Sequence, residues 1–221
     1  MSSTASSNSH PLVNFYDPAI QAKDSKGRTL NQILAWTDKS LEDSHDYIQI
    51  LFPLPEGSIF NSKAPLINRV VFTSFRTRPE LRANLQRSLE RMLRFYGLEL
   101  NKTGAISLGP NYNDASKNWV KQTNHNHLRI TRIIRSLRVL GLENRAEQFF
   151  LALQGAFGQG GKIGDRSLMF WYRAAKKPLF IAPEDGEDRG KGADFLYEFE
   201  KGKMSSGGAL KKEHIEGTKD K

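Results

Sequence analysis

Three groups of side chains in this 221-residue sequence have types and spacings that could do chemistry. His45 and Asp46 are adjacent, His125 and His127 flank one asparagine, and arginines recur at every third position from 129 to 138. Histidines and carboxylates transfer protons, imidazoles bind metal ions, and guanidinium groups bind phosphates and carboxylates. Which of these chemistries is available depends on the element that positions each group.

The segment around His45, Asp46 and Tyr47 has apolar residues at helical spacing. At 100° per residue, one face of the predicted helix contains Leu41, His45, Ile48 and Phe52. Pro53 ends this helix. Adjacent helix positions point about 100° apart, which argues against an acid–base pair formed by the histidine and the aspartate. We therefore expect His45 to be a buried, hydrogen-bonded residue with a structural role.

A second amphipathic helix is predicted from about residue 124 to 140, and its outer half carries the arginines. Asn124 is the predicted N-cap, so the free amides of the first turn favour an anion beside the two histidines. We predict a surface that binds a polyanion or an acidic peptide and consists of Arg129, Arg132, Arg135, His125 and His127. The alternative is that the arginines are only the solvated face of the helix. Histidines two positions apart on a helix point away from each other, so no metal site is predicted.

The hydrophobic pattern predicts an all-α fold, with a single compact domain of about seven helices over residues 12–182. The clearest helix begins after Thr77, runs from Pro79 to Tyr96 and ends at Gly97. We expect it to pack against the helix at 124–140, with a common core that contains Leu89, Leu93, Ile133 and Leu137. No segment alternates at period two over the length of a strand.

The two ends of the chain differ from the body in composition. Residues 1–11 are serine-rich and predicted to be disordered, and residues 183–221 are predicted to be a polar, mostly disordered tail. The net charge is +9, but the tail has ten acidic and eight basic residues, so the body carries +11. A body this basic favours an acidic protein, nucleic acid or an anionic membrane surface as partner, or it serves solubility alone.

Several classes of protein are excluded by what the sequence lacks. There are no cysteines, which rules out disulfides, thiolate metal sites and a cysteine nucleophile. No stretch approaches the roughly 18 apolar residues of a membrane-spanning helix, and the first residues lack the apolar region of a secretory signal. We expect an intracellular protein with at most peripheral membrane association. No catalytic motif is found, so we predict no enzyme activity and no cofactor.

The segment from His45 to Glu56 resembles the signature of the opioid growth factor receptor conserved-domain family, in which a tryptophan usually stands at the place of Ile50. Four further segments resemble motifs of that family, and they occur in the same order. They are Glu56–Asn61 with Ala64-Pro65-Leu66, Arg87–Leu98, His127–Leu137 with Gly141-Leu142, and Ser167-Leu168 with Trp171-Tyr172.

This resemblance implies a non-enzymatic, receptor-like protein that binds an enkephalin peptide and restrains cell proliferation. It also implies a location in the nucleus or at the nuclear envelope, with the cytoplasm as the alternative. The family supplies no ligand-contact residues to transfer to this chain. A second hypothesis is therefore a helical interaction module that binds an acidic partner or nucleic acid through its arginine-rich surface, without an opioid ligand.

Overall fold

The computed structural model describes residues 10–57, 64–158, 162–185 and 192–202. These residues are mainly helical, which confirms the predicted all-α class. The helices are α1 (Pro11–Tyr16), α2 (Leu30–Leu34), α3 (Asp38–Asp43), α4 (Tyr47–Leu51), α5 (Arg69–Thr77), α6 (Pro79–Tyr96), α7 (Tyr112–Ala115), α8 (His125–Val139), α9 (Glu143–Gly158), α10 (Asp165–Lys176) and α11 (194–202). Short 3₁₀ turns lie at Ser116–Asn118 and Pro183–Asp185.

Helix α6 ends, and helix α8 begins, where its sequence predicts. Gly97 ends α6 in the left-handed conformation, with φ of +80°, and a Cβ there would lie 2.6 Å from the Cα of Tyr112. Glycine is therefore required by both the dihedral angle and the close approach. At the start of α8, the side chain of Asn124 accepts a hydrogen bond from the backbone N–H of Asn126 at 2.8 Å. This satisfies one of the free first-turn amides.

Two predicted elements differ from the structure. The helix expected to carry His45 is broken, because α3 ends at Asp43 and α4 begins at Tyr47. The loop after α6 contains a two-stranded antiparallel hairpin, β1 (Leu98–Leu100) and β2 (Ile106–Leu108), with Leu98 opposite Leu108. Strands of three residues are too short to show an alternating pattern, so the sequence did not reveal them.

One continuous core joins the helices. It includes the predicted Leu89, Leu93, Ile133 and Leu137, all buried. Both α6 and α8 contribute to this core, but the predicted packing of α6 along α8 is not a main contact of either helix. Among the described elements, α8 packs along α9 and α10, and α6 packs against α5 and β1. The buried indoles are satisfied, since Trp119 Nε1 donates to the Tyr96 carbonyl at 2.9 Å and Trp171 Nε1 donates to the His127 carbonyl at 3.1 Å.

The predicted tail includes a helix that packs on the domain. In α11, Phe195 and Phe199 lie against Phe72 of α5, with ring centroids 5.3 and 5.0 Å apart. The guanidinium of Arg76 lies over the rings of Phe72 and Phe199 at 4.8 and 4.3 Å. The helical domain therefore continues beyond residue 182. Of the segments predicted to be disordered, 1–11 and 183–221, residues 1–9, 186–191 and 203–221 lie outside the described residues. His10 and Pro11 are described, and Pro11 begins α1.

Candidate functional site

A cleft of about 620 Å³ lies beside the turn between α3 and α4. Its walls come from α1, from the loop at 23–28, from the α3–α4 turn with the start of α4, and from Pro65. The lining residues are Pro11, Leu12, Phe15, Lys23, Asp24, Ser25, Lys26, Arg28, His45, Asp46, Gln49, Ile50 and Pro65. This volume is in the range of small-molecule and peptide side-chain pockets, about 300–1,000 Å³.

The loop at 23–28 is held in place by Asp24. One carboxylate oxygen of Asp24 accepts hydrogen bonds from the backbone N–H groups of Lys26 and Arg28, both at 2.9 Å. Gly27 provides the positive φ of +77° that the turn requires. Thr29 then forms a capping box with Gln32 and starts α2, as its sequence position predicts. The loop is thus a fixed wall of the cleft.

Arg28 connects this loop to the signature segment. Its guanidinium contacts the carboxylates of Asp24 and Asp46 at 2.6 and 2.7 Å. Burial would raise the pKa of Asp46, but hydrogen bonds from Arg28, Ser44 and Lys26 outweigh this effect and lower the pKa to about 2. Asp46 is therefore charged at neutral pH, and its donors hold it in place.

The expectation that His45 is a buried helical residue is wrong. His45 lies in the turn between the two helices, is exposed and lines the cleft. The predicted hydrogen bond is present, because Arg129 Nη2 lies 3.2 Å from His45 Nδ1. An arginine N–H only donates, so Nδ1 accepts and the proton of the neutral ring is on Nε2. The ring of His125 meets that of His45 edge-on at 5.9 Å, which brings two of the predicted residues together.

The outer face predicted for the arginines of α8 is also wrong. Arg129 and Arg135 are buried, with 5% and 1% exposure, and Arg132 and Arg138 are half-buried. Their partners are backbone carbonyls, mostly at the ends of other helices. Arg129 donates to the carbonyls of Leu41, Glu42 and Ser44, Arg132 to Phe52, Arg135 to Leu179, and Arg138 to Ala174 and Lys177.

The physical reason is that a helix leaves its last four carbonyls without intrahelical partners, and a guanidinium has five N–H donors to satisfy them. Arg135 also forms an ion pair with Glu56 at 2.6 Å. Burial lowers the pKa of Arg132, and burial together with the charge of Arg135 lowers the pKa of Arg138 to about 10. The structure shows that these arginines are buried or half-buried. Polyanion binding by them remains a prediction.

The two predicted histidines of α8 have different environments. His125 is exposed and pairs with Glu42 at 3.1 Å. His127 is buried, with Nε2 2.7 Å from the Trp119 carbonyl and Nδ1 2.8 Å from the Ser167 hydroxyl. A carbonyl only accepts, so Nε2 donates and Nδ1 accepts from Ser167. His127 thereby connects α8 to α10. It does not line the cleft beside the α3–α4 turn.

Several cleft residues were missed by sequence reasoning, above all Lys23, Lys26 and Arg28. The sequence from Asp24 to Gly27 is typical of a turn, and the turn is present, since the Gly27 N–H donates to the Asp24 carbonyl at 2.9 Å. Their contact with the signature segment is a tertiary feature without a periodic pattern. Within the described ranges, no group of three or more potential metal ligands occurs. None of the described helices is long and apolar enough to span a bilayer.

The described residues thus form an all-α domain with a cleft beside the turn between α3 and α4. Residues 6–172 match the conserved region of the opioid growth factor receptor. The chain is 40% identical over 139 residues to the opioid growth factor receptor of Homo sapiens, covering 61% of this chain and 20% of that protein. It is 37% identical over 107 residues to the opioid growth factor receptor-like protein 1 of Xenopus tropicalis, covering 48% and 20%. No solved structure matches the chain.

Because the match covers most of the sequence, the chain belongs to the opioid growth factor receptor conserved-region family. It spans about a fifth of the length of these curated relatives.

Proposed function

We propose that this chain is a non-enzymatic, receptor-like module that binds a peptide in the cleft beside His45 and Asp46. The observation that carries the proposal is the position of the family's signature segment, which supplies His45, Asp46, Gln49 and Ile50 to one wall of the 620 Å³ cleft. The relatives are named for an opioid growth factor, and the family resemblance points to an enkephalin peptide. An enkephalin peptide is therefore the first ligand to test.

The lining of the cleft supports a peptide as ligand. Leu12 and Phe15 are buried beneath it, while Ile50 and Pro65 are half-buried and present apolar surface at its wall. Charged groups of the loop at 23–28 lie beside this apolar surface. A site with apolar walls and a few placed polar groups suits a peptide, because a side chain fills the space while the polar groups fix its orientation.

Isothermal titration calorimetry with an enkephalin peptide tests the proposal. Ile50→Asp should weaken binding at least tenfold, because it places a charge on the apolar wall. Leu151→Asp is the matched control, since Leu151 is 47% exposed on α9 and does not line the cleft. Both variants should keep the wild-type circular dichroism spectrum. Equal binding by the wild type and Ile50→Asp would mean that the peptide does not bind in the cleft.

The alternative function is binding of an acidic protein or nucleic acid through an arginine-rich surface. The net charge of +9 favours it. Its predicted residues fit less well, because Arg129 and Arg135 are buried against carbonyls and only His125 among the five is exposed. Titration with RNA at two salt concentrations separates the hypotheses, since phosphate binding weakens steeply as salt increases.

A role in growth regulation and a location in the nucleus or at the nuclear envelope complete the proposal. Both rest on membership of the family, and the cytoplasm and a peripheral membrane location are the alternatives. Imaging of a fluorescent fusion in cells distinguishes these locations. Exclusion from the nucleus and its envelope would remove this part of the proposal without affecting peptide binding.

A further inference from the structure

The two carboxylates of the cleft have no free hydrogen-bonding capacity. A carboxylate has about four lone-pair sites. Asp24 accepts four hydrogen bonds, from the backbone N–H groups of Lys26 and Arg28 and twice from the Arg28 guanidinium at 2.6 and 2.8 Å. Asp46 is contacted by Ser44, by Lys26 and twice by Arg28. A positively charged group of a ligand would therefore have to displace an internal donor.

Among the ionisable side chains of the cleft, the hydrogen-bonding capacity that remains is donor capacity. Lys23 is exposed and has no ion-pair partner within the described ranges. Lys26 is exposed and uses one of its three donors, in a 3.1 Å contact with Asp46. His45 is the third side chain that can donate to a ligand. Its Nδ1 accepts a hydrogen bond from Arg129, so its Nε2 carries the proton. Three cations against two carboxylates also leave the lining positive.

From this imbalance we infer that the cleft binds its peptide through a carboxylate, which accepts hydrogen bonds from Lys23, Lys26 and His45. The inference rests on the proposed function and adds the chemistry by which the ligand is recognised. The side chain next to the carboxylate packs on Ile50 and Pro65, which lie in the same lining. The amino group of the peptide points away from the cleft, because neither carboxylate is open to it.

Calorimetry with three forms of one enkephalin peptide tests this orientation. The free acid should bind, the C-terminal amide should bind at least tenfold more weakly, and the N-acetylated acid should bind like the free acid. A fourth form, an amide with one acidic side chain, shows whether the C-terminal or a side-chain carboxylate is used. Equal binding of the acid and its amide, or loss of binding on acetylation, would overturn the inference while leaving peptide binding intact.

Substitution of one lysine makes the test specific to the cleft. Lys23→Met keeps the length of the side chain and removes its charge, so the free acid should lose about tenfold in affinity and the amide should be unaffected. Lys102→Met is the matched control, since Lys102 is an exposed lysine of the β-hairpin turn and does not line the cleft. If Lys102→Met weakens binding as much as Lys23→Met, the effect is one of general charge and the inference is wrong.

A separate readout covers the case in which no enkephalin form binds, which would make the proposed ligand wrong. The backbone amides of Lys23, Ser25 and Lys26 can then be followed by NMR during titration with N-acetyl-leucine and with its amide. Saturable shifts with the carboxylate alone would support the inference. Identical responses to both compounds, or no response to either, would overturn it.

Discussion

The arginines of α8 and the lysines of the loop at 23–28 differ in what their N–H groups bind. Arg129 and Arg135 are buried, and their donors bind carbonyls at the ends of other segments. Lys23 and Lys26 are exposed on a short loop and retain donors. The arginines of α8 are therefore less available to a ligand than the lysines of the loop at 23–28.

This difference follows from the chemistry of the two side chains. A guanidinium is planar, more weakly hydrated than an ammonium group and able to donate in several directions, so it satisfies helix-end carbonyls at a smaller desolvation cost than a lysine would. The same arrangement occurs outside α8, since Arg82 donates to the carbonyls of Phe75 and Arg76 at the end of α5. Arg76 in turn donates to the carbonyls of Arg138 and Val139 at the end of α8. Arginines thus connect helix ends throughout the domain.

The largest predicted effect is on Arg135. Arg135→Ala should lower the free energy of unfolding by about 3–5 kcal/mol, because it leaves Glu56 charged and the Leu179 carbonyl without its donor. Arg135→Met combined with Glu56→Leu should recover part of this loss, since it removes both charges. Urea unfolding measures both variants. A loss below 1 kcal/mol for Arg135→Ala would mean that this arginine is as replaceable as a surface cation, and the contrast with the cleft would disappear.

The next effect separates the two histidines of α8. His127→Gln should cost about 1–3 kcal/mol at pH 7.5, because it breaks the contacts with Trp119 and Ser167 in a buried place. His125→Gln, at an exposed position, should change stability by less than about 0.5 kcal/mol. Equal effects of the two substitutions would contradict the assigned environments.

The buried position of His127 also predicts how the stability of the protein depends on pH. Burial lowers the pKa of His127 below 6.5, and the hydrogen bond with Trp119 offsets only part of this effect. The unfolded chain takes up a proton near pH 6.5, whereas the folded protein does so only at lower pH. The contribution of His127 to the free energy of unfolding should therefore be complete above pH 6.5 and decrease as the pH falls below it. The difference between wild type and His127→Gln should shrink between pH 7.5 and 5.5.

Much of the fold could be predicted because its signals are local. The amphipathic periods of α6 and α8, the Asn124 cap and the left-handed Gly97 depend on residues a few positions apart. The break at residues 44–46 could not be predicted from the period, because Leu41, Ile48 and Phe52 are buried on either side of it as they would be in a continuous helix. Their spacing is compatible with both structures.

The candidate site was harder to predict than the fold because its residues are distant in sequence. The signature segment was found, but the side chains facing it come from α1 and the loop at 23–28. The burial of the arginines was missed for a related reason. Helical periodicity places them opposite the apolar face of α8, and it contains no information about α3, α4 and α10, whose carbonyls bind their guanidinium groups.

The smallest predicted effect concerns Asp46 and tests whether the carboxylates of the cleft are saturated. Its pKa of about 2 lies below the ordinary value of 3.8, so its contribution to stability is complete above pH 3.8 and is lost as the pH falls toward 2. Asp46→Asn should cost about 1 kcal/mol at pH 6, a value reduced by solvent screening at this partly exposed position. Urea unfolding should show nearly the same difference from wild type at pH 6 and pH 4, and a smaller difference at pH 2.5. A constant difference would mean that the donors around Asp46 do not depend on its charge.

Peptide binding by the same variant tests whether Asp46 is open to a ligand. If Asp46→Asn abolished binding of the peptide with a free amino group but not of the N-acetylated peptide, Asp46 would bind the amino group. The carboxylates of the cleft would then not be saturated.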